Sequence, residues 1–256
     1  MFSDTCRGED GIGDAHETTV SPIILGSSSA WRREVMNELG CDFETMSPDI
    51  DEKAIRCSDP LELPVAVARA KAAALESRLS APSILITGDQ IVLAPKDAHN
   101  PPAHAEDVRD GMVVHEKPES RAEAEEFIRG YSGRFVRTVA AVVVTHTGAG
   151  KEEFGVDIAT VHFRVIPDDA IAAALEPTED GQPSPLFSTC GAVCIEHPAL
   201  APYVERIEGT RDSVFGLPKT LLAQLLEKVG APSPANPPSM SPAGAAALTI
   251  AARQHG

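Results

Sequence analysis

Apolar positions along this chain change their period several times, and the changes mark out its elements. The first apolar run, Ile23-Ile24-Leu25, is too short for a helix and is followed at once by Gly26-Ser27-Ser28-Ser29. Beyond it Val35, Met36 and Leu39 recur at helical spacing up to Gly40, so this stretch reads as strand, small-residue turn and helix. Residues 42–46 give a second short strand. Residues 60–79 keep a helical period, with Ser58 or Asp59 as cap, Pro60 or Pro64 in the first turns, and Val65, Val67, Ala68 and Leu75 facing inward. Ile84-Leu85-Ile86 is a buried strand that closes in Thr87-Gly88-Asp89-Gln90. Ser120-Arg121-Ala122-Glu123 is a capping box that starts a helix running to Tyr131. Residues 135–146 and 152–166 are long strands joined through Thr147-Gly148-Ala149-Gly150, and the unbroken apolar run 139–144 calls for burial on both faces. Pro167-Asp168-Asp169 opens a helix to Leu175, residues 187–196 and 203–208 are strand or loop, and Leu217-Pro218 opens a last helix that Gly230 stops.

These elements occupy residues 22–230 as one α/β unit. Residues 1–21 are polar and residues 231–256 are rich in Pro, Ala and Ser, so both read as disordered tails. Residues 94–115 read as a loop insertion, and its His99 and His104 lack the spacing of metal ligands. With 256 residues and 43% hydrophobic content the chain can bury a sizeable core. Its net charge of −16 excludes a general affinity for nucleic acid or anionic membranes, which needs a basic footprint. The apolar runs fall short of the roughly 18 residues that span a bilayer, and the start is unlike a signal peptide, so the expected compartment is the cytoplasm. Five cysteines without a pairing pattern fit a reducing compartment, and Cys190 and Cys194 read as structural thiols.

The turn at residues 26–33 carries the first chemistry. Unpaired backbone N–H groups at a helix start, three hydroxyls and the Arg32-Arg33 pair make an anion site; the alternative is a simple Ser N-cap on a solvated helix. The acidic turn Ser47-Pro48-Asp49-Ile50-Asp51-Glu52 could hold a metal. Asp89, beside a glycine at a strand's end, reads either as a general base or as an Asx-turn residue. Lys71 alone reads as a solvated helix residue.

Taken together the stretches resemble the Maf family of nucleoside triphosphate pyrophosphatases over residues 23–229. The matching motifs run in order: Ser27-Ser28-Ser29-Ala30-Trp31-Arg32-Arg33, Asp49-Ile50-Asp51-Glu52, Ala70-Lys71-Ala72, Gly88-Asp89-Gln90, Lys117-Pro118 and Tyr131-Ser132-Gly133-Arg134. Val161-His162-Phe163-Arg164, Glu205-Arg206-Ile207-Glu208-Gly209 and Val214-Phe215-Gly216-Leu217-Pro218 complete them. The resemblance implies an ITPase-like α/β fold, a long twisted mixed sheet forming two lobes with a nucleotide-binding cleft between them. It implies cleavage of a nucleoside triphosphate to the monophosphate and diphosphate with a divalent cation, Mg2+ or Mn2+. Asp89 would be the proton acceptor, Ser27, Ser29, Arg32, Arg33, Lys71 and Lys117 would hold phosphates, and Glu52 with Asp89 would hold the metal. A homodimer is also implied.

Three positions resemble the branch of the family that hydrolyses 7-methyl-GTP: Trp31, Gln90 and Glu196. A cationic N7-methylated purine stacks well on Trp, and a carboxylate at Glu196 could accept from the guanine N1–H and N2–H groups. Taken singly, Trp31 could be a core anchor and Glu196 a surface acid. The other branch, acting on dTTP and UTP, carries different residues at these three positions, and a nucleotide-binding regulator of septum formation without turnover is a further alternative. Glu116, Ala140-Ala141 and Ser213 depart from the family pattern.

Overall fold

The computed structural model describes residues 21–96 and 111–237. Among them, seven strands form one mixed sheet. Strands β1 (Ile23–Gly26) and β2 (Phe43–Thr45) flank helix α1 (Ala30–Glu38), and α2 (Leu63–Glu76) leads into the long β3 (Ile84–Pro95). After β4 (Met112–His115) and α3 (Arg121–Tyr131) come the paired strands β5 (Phe135–His146) and β6 (Lys151–Phe163). Helix α4 (Asp168–Ala174), a run of short 3-10 turns, β7 (Val204–Glu208), α5 (Arg211–Val214) and α6 (Lys219–Val229) finish the chain. The sheet order is β2-β1-β3-β5-β6-β7 with β4 also on β3; β1 pairs parallel with β2 and β3, and all other pairs are antiparallel.

The sheet is long enough to carry two cores side by side on one face. At one end Val142 and Val144 pack with Met36, Leu39, Leu222 and Leu226 from α1 and α6. At the other end Val136 and Val161 pack with Ile128 and Tyr131 of α3 and Ile171 of α4. On the opposite face α2 lays Leu63, Val65 and Val67 over Ile91, Val139 and Val156. Alternation along β5 explains why residues 139–144 are all buried: successive side chains enter opposite cores.

β3 departs from the sequence reading in a way that matters for the site. Thr87-Gly88-Asp89-Gln90 does not close the strand, because β5 pairs with it continuously from Ile84 to Leu93. Cross-strand pairing overrides the turn preference of Gly-Asp. On its other edge β3 changes partner: β1 reaches only Thr87 and β4 begins only at Val92. Residues 88–91 are left with one edge that no strand covers, and the two lobes part there.

Other differences are local. Asp59 forms an Asx turn, its Oδ1 accepting from the Leu61 N–H at 3.0 Å, so α2 starts at Leu63 and Pro64 falls in its first turn. The expected insertion at 94–115 is strand at both ends, while His99 and His104 lie outside the described residues. β6 stops at Phe163, and of residues 187–196, expected as strand or loop, the first part is two short 3-10 turns ending at Ser188 and Ala192 and the rest is loop. Past Gly230, Asn236 bonds back to the carbonyls of Leu39 and Glu38 at 3.0 and 3.3 Å; the remainder of both expected tails lies outside the described residues. No helix among the described residues is long and apolar enough to cross a membrane.

Candidate active site

A cleft of about 830 Å³ opens where β3 lacks a neighbour, and Ser27, Ser29, Trp31, Arg32, Lys71 and Asp89 all line it. A shallower depression of about 590 Å³ beside the β5–β6 hairpin shares no residue with it. β1 ends at Gly26, where a Cβ would meet Leu75 Cδ1 at 2.5 Å and Thr87 Cγ2 at 2.7 Å, so only glycine lets the chain leave the sheet here. Ser29 is indeed the α1 N-cap, its hydroxyl accepting from the Arg32 N–H at 3.4 Å, while its own N–H donates to Ser27 Oγ at 3.2 Å. The cap and the cleft wall are therefore the same turn.

Arg32 is buried in spite of its charge. Its Nη1 donates to Gly88 C=O at 2.7 Å and its Nε to Gly216 C=O at 3.1 Å, and no carboxylate among the described residues pairs with it. The guanidinium thus fills the uncovered edge of β3 and keeps its positive charge free for an anion. Arg33 does not join it. Its Nη1 donates to Ser28 C=O at 3.0 Å on the exposed side of α1, away from the cleft lining, because successive helix residues point about 100° apart.

Across the cleft, Lys71 is buried rather than solvated. Its Nζ lies 2.9 Å from Asp89 Oδ1, 3.0 Å from Glu52 Oε1 and 3.4 Å from Gly88 C=O. One ammonium thereby joins the acidic turn, the strand and the helix. Lys117 is exposed and lines the cleft, and two further cations on its wall went unread in the sequence: Lys53, paired with Glu119, and Arg56, 3.5 Å from Glu116.

No group of three His, Cys, Asp or Glu among the described residues could cage an ion. Asp89 and Glu52 nevertheless offer two carboxylates to the same ammonium. Mg2+ takes such a site well, because it uses one or two carboxylates and completes its shell with water and substrate phosphate oxygens. The fit is to an ion that arrives with a polyphosphate.

Strand alternation sends the next residue the other way. Gln90 faces the side opposite Asp89, and its Nε2 donates to Val214 C=O at 2.9 Å and Ser213 C=O at 3.4 Å. Two carbonyls fix the amide orientation and leave Oε1 as an acceptor. Trp31 stacks on Phe215, centroids 4.8 Å apart and planes 18° from parallel, and both rings line the cleft. Glu196 is not on that wall: it is paired with Arg211 and lies off the cleft lining, while its neighbour Ile195 lines it.

Two residues, Cys190 and Tyr131, brace the wall of the cleft from behind. The Cys190 thiol donates to Gln90 C=O at 2.9 Å, and burial, aided by the Asp89 charge, pushes its pKa up to about 12. Behind it Tyr131 donates to Gly191 C=O at 2.9 Å and meets His115 Nδ1 at 2.7 Å. This bracing holds a turn in which Gly191 and Ala192 both have positive φ, 61° and 54°. Spacing alone gives no signal for either contact, because both reach across more than fifty residues of chain or join separate elements.

Comparison with known proteins gives matches over most of the chain. The family model described as Maf-like protein matches residues 22–229. A protein of Dictyostelium discoideum named 7-methyl-GTP pyrophosphatase is 37% identical over 82% of this chain and 98% of its own length. One of Treponema denticola named dTTP/UTP pyrophosphatase is 27% identical over 80% of this chain and 96% of its own. Among solved structures, a HAM1 protein from Coxiella burnetii aligns over 70% of this chain and 90% of that one, at 15% identity and a TM-score of 0.34, too distant to carry an argument.

Proposed function

The chain belongs to the Maf family of nucleoside triphosphate pyrophosphatases, hydrolases of acid anhydrides, and from that premise we propose that it converts 7-methyl-GTP and water to 7-methyl-GMP and diphosphate. The observation that carries the reaction is the Lys71-bridged pair of Asp89 and Glu52 opposite the carboxylate-free Arg32. Water attacks the α-phosphorus, Asp89 accepts its proton, and the bond from that phosphorus to the bridging oxygen breaks with the electron pair leaving on diphosphate. Lys71 holds the Asp89 carboxylate in place and lies where charge gathers on the phosphates. Arg32, the Ser27–Ser29 hydroxyls and N–H groups, and Lys117 hold the phosphate chain. Glu52 and Asp89 would hold a divalent ion, which when bound supplies charge neutralisation for the polyphosphate. Arg33 has no part in this arrangement.

The substrate assignment rests on Trp31 and Gln90. The indole offers a stacking face to a cationic base, and Gln90 Oε1 can accept from guanine N–H groups. Glu196 supports the assignment less directly, since its carboxylate pairs with Arg211 off the lining of the cleft.

Diphosphate release from 7-methyl-GTP, GTP, dTTP and UTP at equal concentration with Mg2+ or Mn2+ tests both parts. A preference for 7-methyl-GTP that falls with Trp31→Ala and a turnover that vanishes with Asp89→Asn support the reading. Faster cleavage of dTTP and UTP would favour the second reading, which the similarity to the Treponema denticola protein motivates. Binding without turnover of any nucleotide would point to a regulator.

A further inference from the structure

We infer that Arg56 and Lys53 bind the leaving diphosphate, and that Glu116 and Glu119 stand in for it. The two carboxylates hold these cations until the outer phosphates of the substrate take them, and reclaim them as diphosphate departs. The inference rests on the phosphate chain lying in the cleft as proposed above, and on no particular base. Lys53 and Arg56 line the cleft, and so do Glu116 and Lys117 on the segment between β4 and α3.

The cations of the cleft are graded from its floor to its mouth. Arg32 and Lys71 are buried, whereas the side chains of Arg56 and Lys53 are 57% and 60% exposed. The 3-10 turn Glu52–Ala54 joins the two levels, because Glu52 meets the Lys71 ammonium at 3.0 Å and Lys53, the next residue, pairs with Glu119. Arg56 follows, its Nη1 3.5 Å from Glu116 and 2.8 Å from Ile55 C=O. Lys117, between the two acids in sequence, is near enough to Cys190 for its charge to act on that buried thiol, as those of Arg32 and Lys71 do. With the base on the Gln90 side and the α-phosphorus beside Asp89, the two outer phosphates extend on the Lys71 side, toward residues 52–56.

The charges explain why the pairs matter. Ion pairs this exposed are weak and exchange readily. A terminal phosphate carries more charge than a carboxylate, and its oxygens match the guanidinium fork equally well. The outer phosphates can therefore displace Glu116 and Glu119, whereas a monophosphate ends at the reacting phosphorus and does not reach them. The two carboxylates also compete with diphosphate for its site, which speeds its departure. A purely structural pair would weaken the site whichever partner was lost; a stand-in carboxylate acts with the sign opposite to that of its cation.

The probes are inorganic diphosphate with Mg2+ and the monophosphate of whichever nucleotide the wild-type chain cleaves fastest, both followed by calorimetry. Arg56→Gln should weaken diphosphate binding about tenfold and raise KM for the triphosphate by a similar factor, while monophosphate binding stays within about twofold. Arg56→Lys should recover part of the loss. Glu116→Gln should act the other way, tightening diphosphate about threefold and strengthening inhibition by that product. Lys53→Gln and Glu119→Gln should repeat the two signs. Weaker diphosphate binding in Glu116→Gln, or equal losses for diphosphate and monophosphate in Arg56→Gln, would overturn the inference and leave ordinary surface pairs. If Arg56→Gln fails to fold, an unchanged diphosphate affinity in Lys53→Gln and Glu116→Gln overturns it instead. A wild-type chain that binds diphosphate but cleaves no nucleoside triphosphate would defeat the reading of the site rather than this inference, and it shows before any variant is made.

Discussion

Asp89 and Gln90 are neighbours on β3, yet the two sides of the cleft they serve are built in different ways. On the Asp89 side, strand and helix supply the groups, and side chain meets side chain: Lys71 touches Asp89 and Glu52 at about 3 Å. On the Gln90 side, side chains are tied to main-chain carbonyls of one short segment, at Ser213, Val214 and Gly216. The first side is fixed by charge and regular elements, the second by the path of one short segment. Reaction chemistry and base selection should consequently fail separately.

The largest separation is expected for Asp89→Asn. Loss of the general base should cut kcat about 10²- to 10⁴-fold, while nucleotide binding measured by calorimetry stays within a few-fold. Equal loss of binding would mean that the two sides are one unit. Gly216→Ala acts from the other side. A left-handed φ and two contacts near 3 Å should cost about 1–3 kcal/mol in urea unfolding, and base preference should fall before turnover does.

A smaller effect concerns the brace behind the selecting side. Burial holds His115 below its ordinary 6.5, so the unfolded chain takes up this proton first as pH falls. The contribution is present above about pH 6.5 and is lost as pH drops from there toward the folded-state value. His115→Gln should flatten the loss of stability between pH 7 and pH 5, followed by thermal unfolding. The smallest effect is expected for Cys190→Ala. The thiol is a weak donor with its pKa pushed up to about 12, so kcat/KM should stay within about threefold of wild type and rule it out as a nucleophile.

The same contrast governs how much could be read in advance. Lys71, Asp89 and Glu52 carry family spacing, and the first two sit on elements that apolar periodicity reveals. β1, α1, α3 and the β5–β6 hairpin likewise follow from Ile23–Leu25, the Val35 to Leu39 stripe, the Ser120 capping box and Thr147–Gly150. β3 misled because Gly88-Asp89 has turn chemistry locally, while its partner β5 lies some fifty residues onward and decides the matter. Arg32 and Arg33 diverge because adjacent residues of a helix point about 100° apart. Phe215 was hidden in a motif that reads as a helix start, and Glu196 was placed by spacing in a region of 3-10 turns whose path no period fixes.

The uncovered edge of β3 has a consequence for how such a chain can evolve. Its Gly88 carbonyl is satisfied by Arg32 and Lys71, the same cations proposed to hold the phosphates. Losing Arg32 leaves Gly88 with only the Lys71 ammonium at 3.4 Å and takes the side-chain donor from the buried Gly216 carbonyl, about 1–3 kcal/mol out of a total stability of roughly 5–15. A descendant that abandoned catalysis could discard Asp89 at little cost to folding, but it would have to retain its phosphate-binding cations to remain folded. Inactive relatives of this fold should therefore keep the look of a nucleotide site long after they have stopped cutting nucleotides.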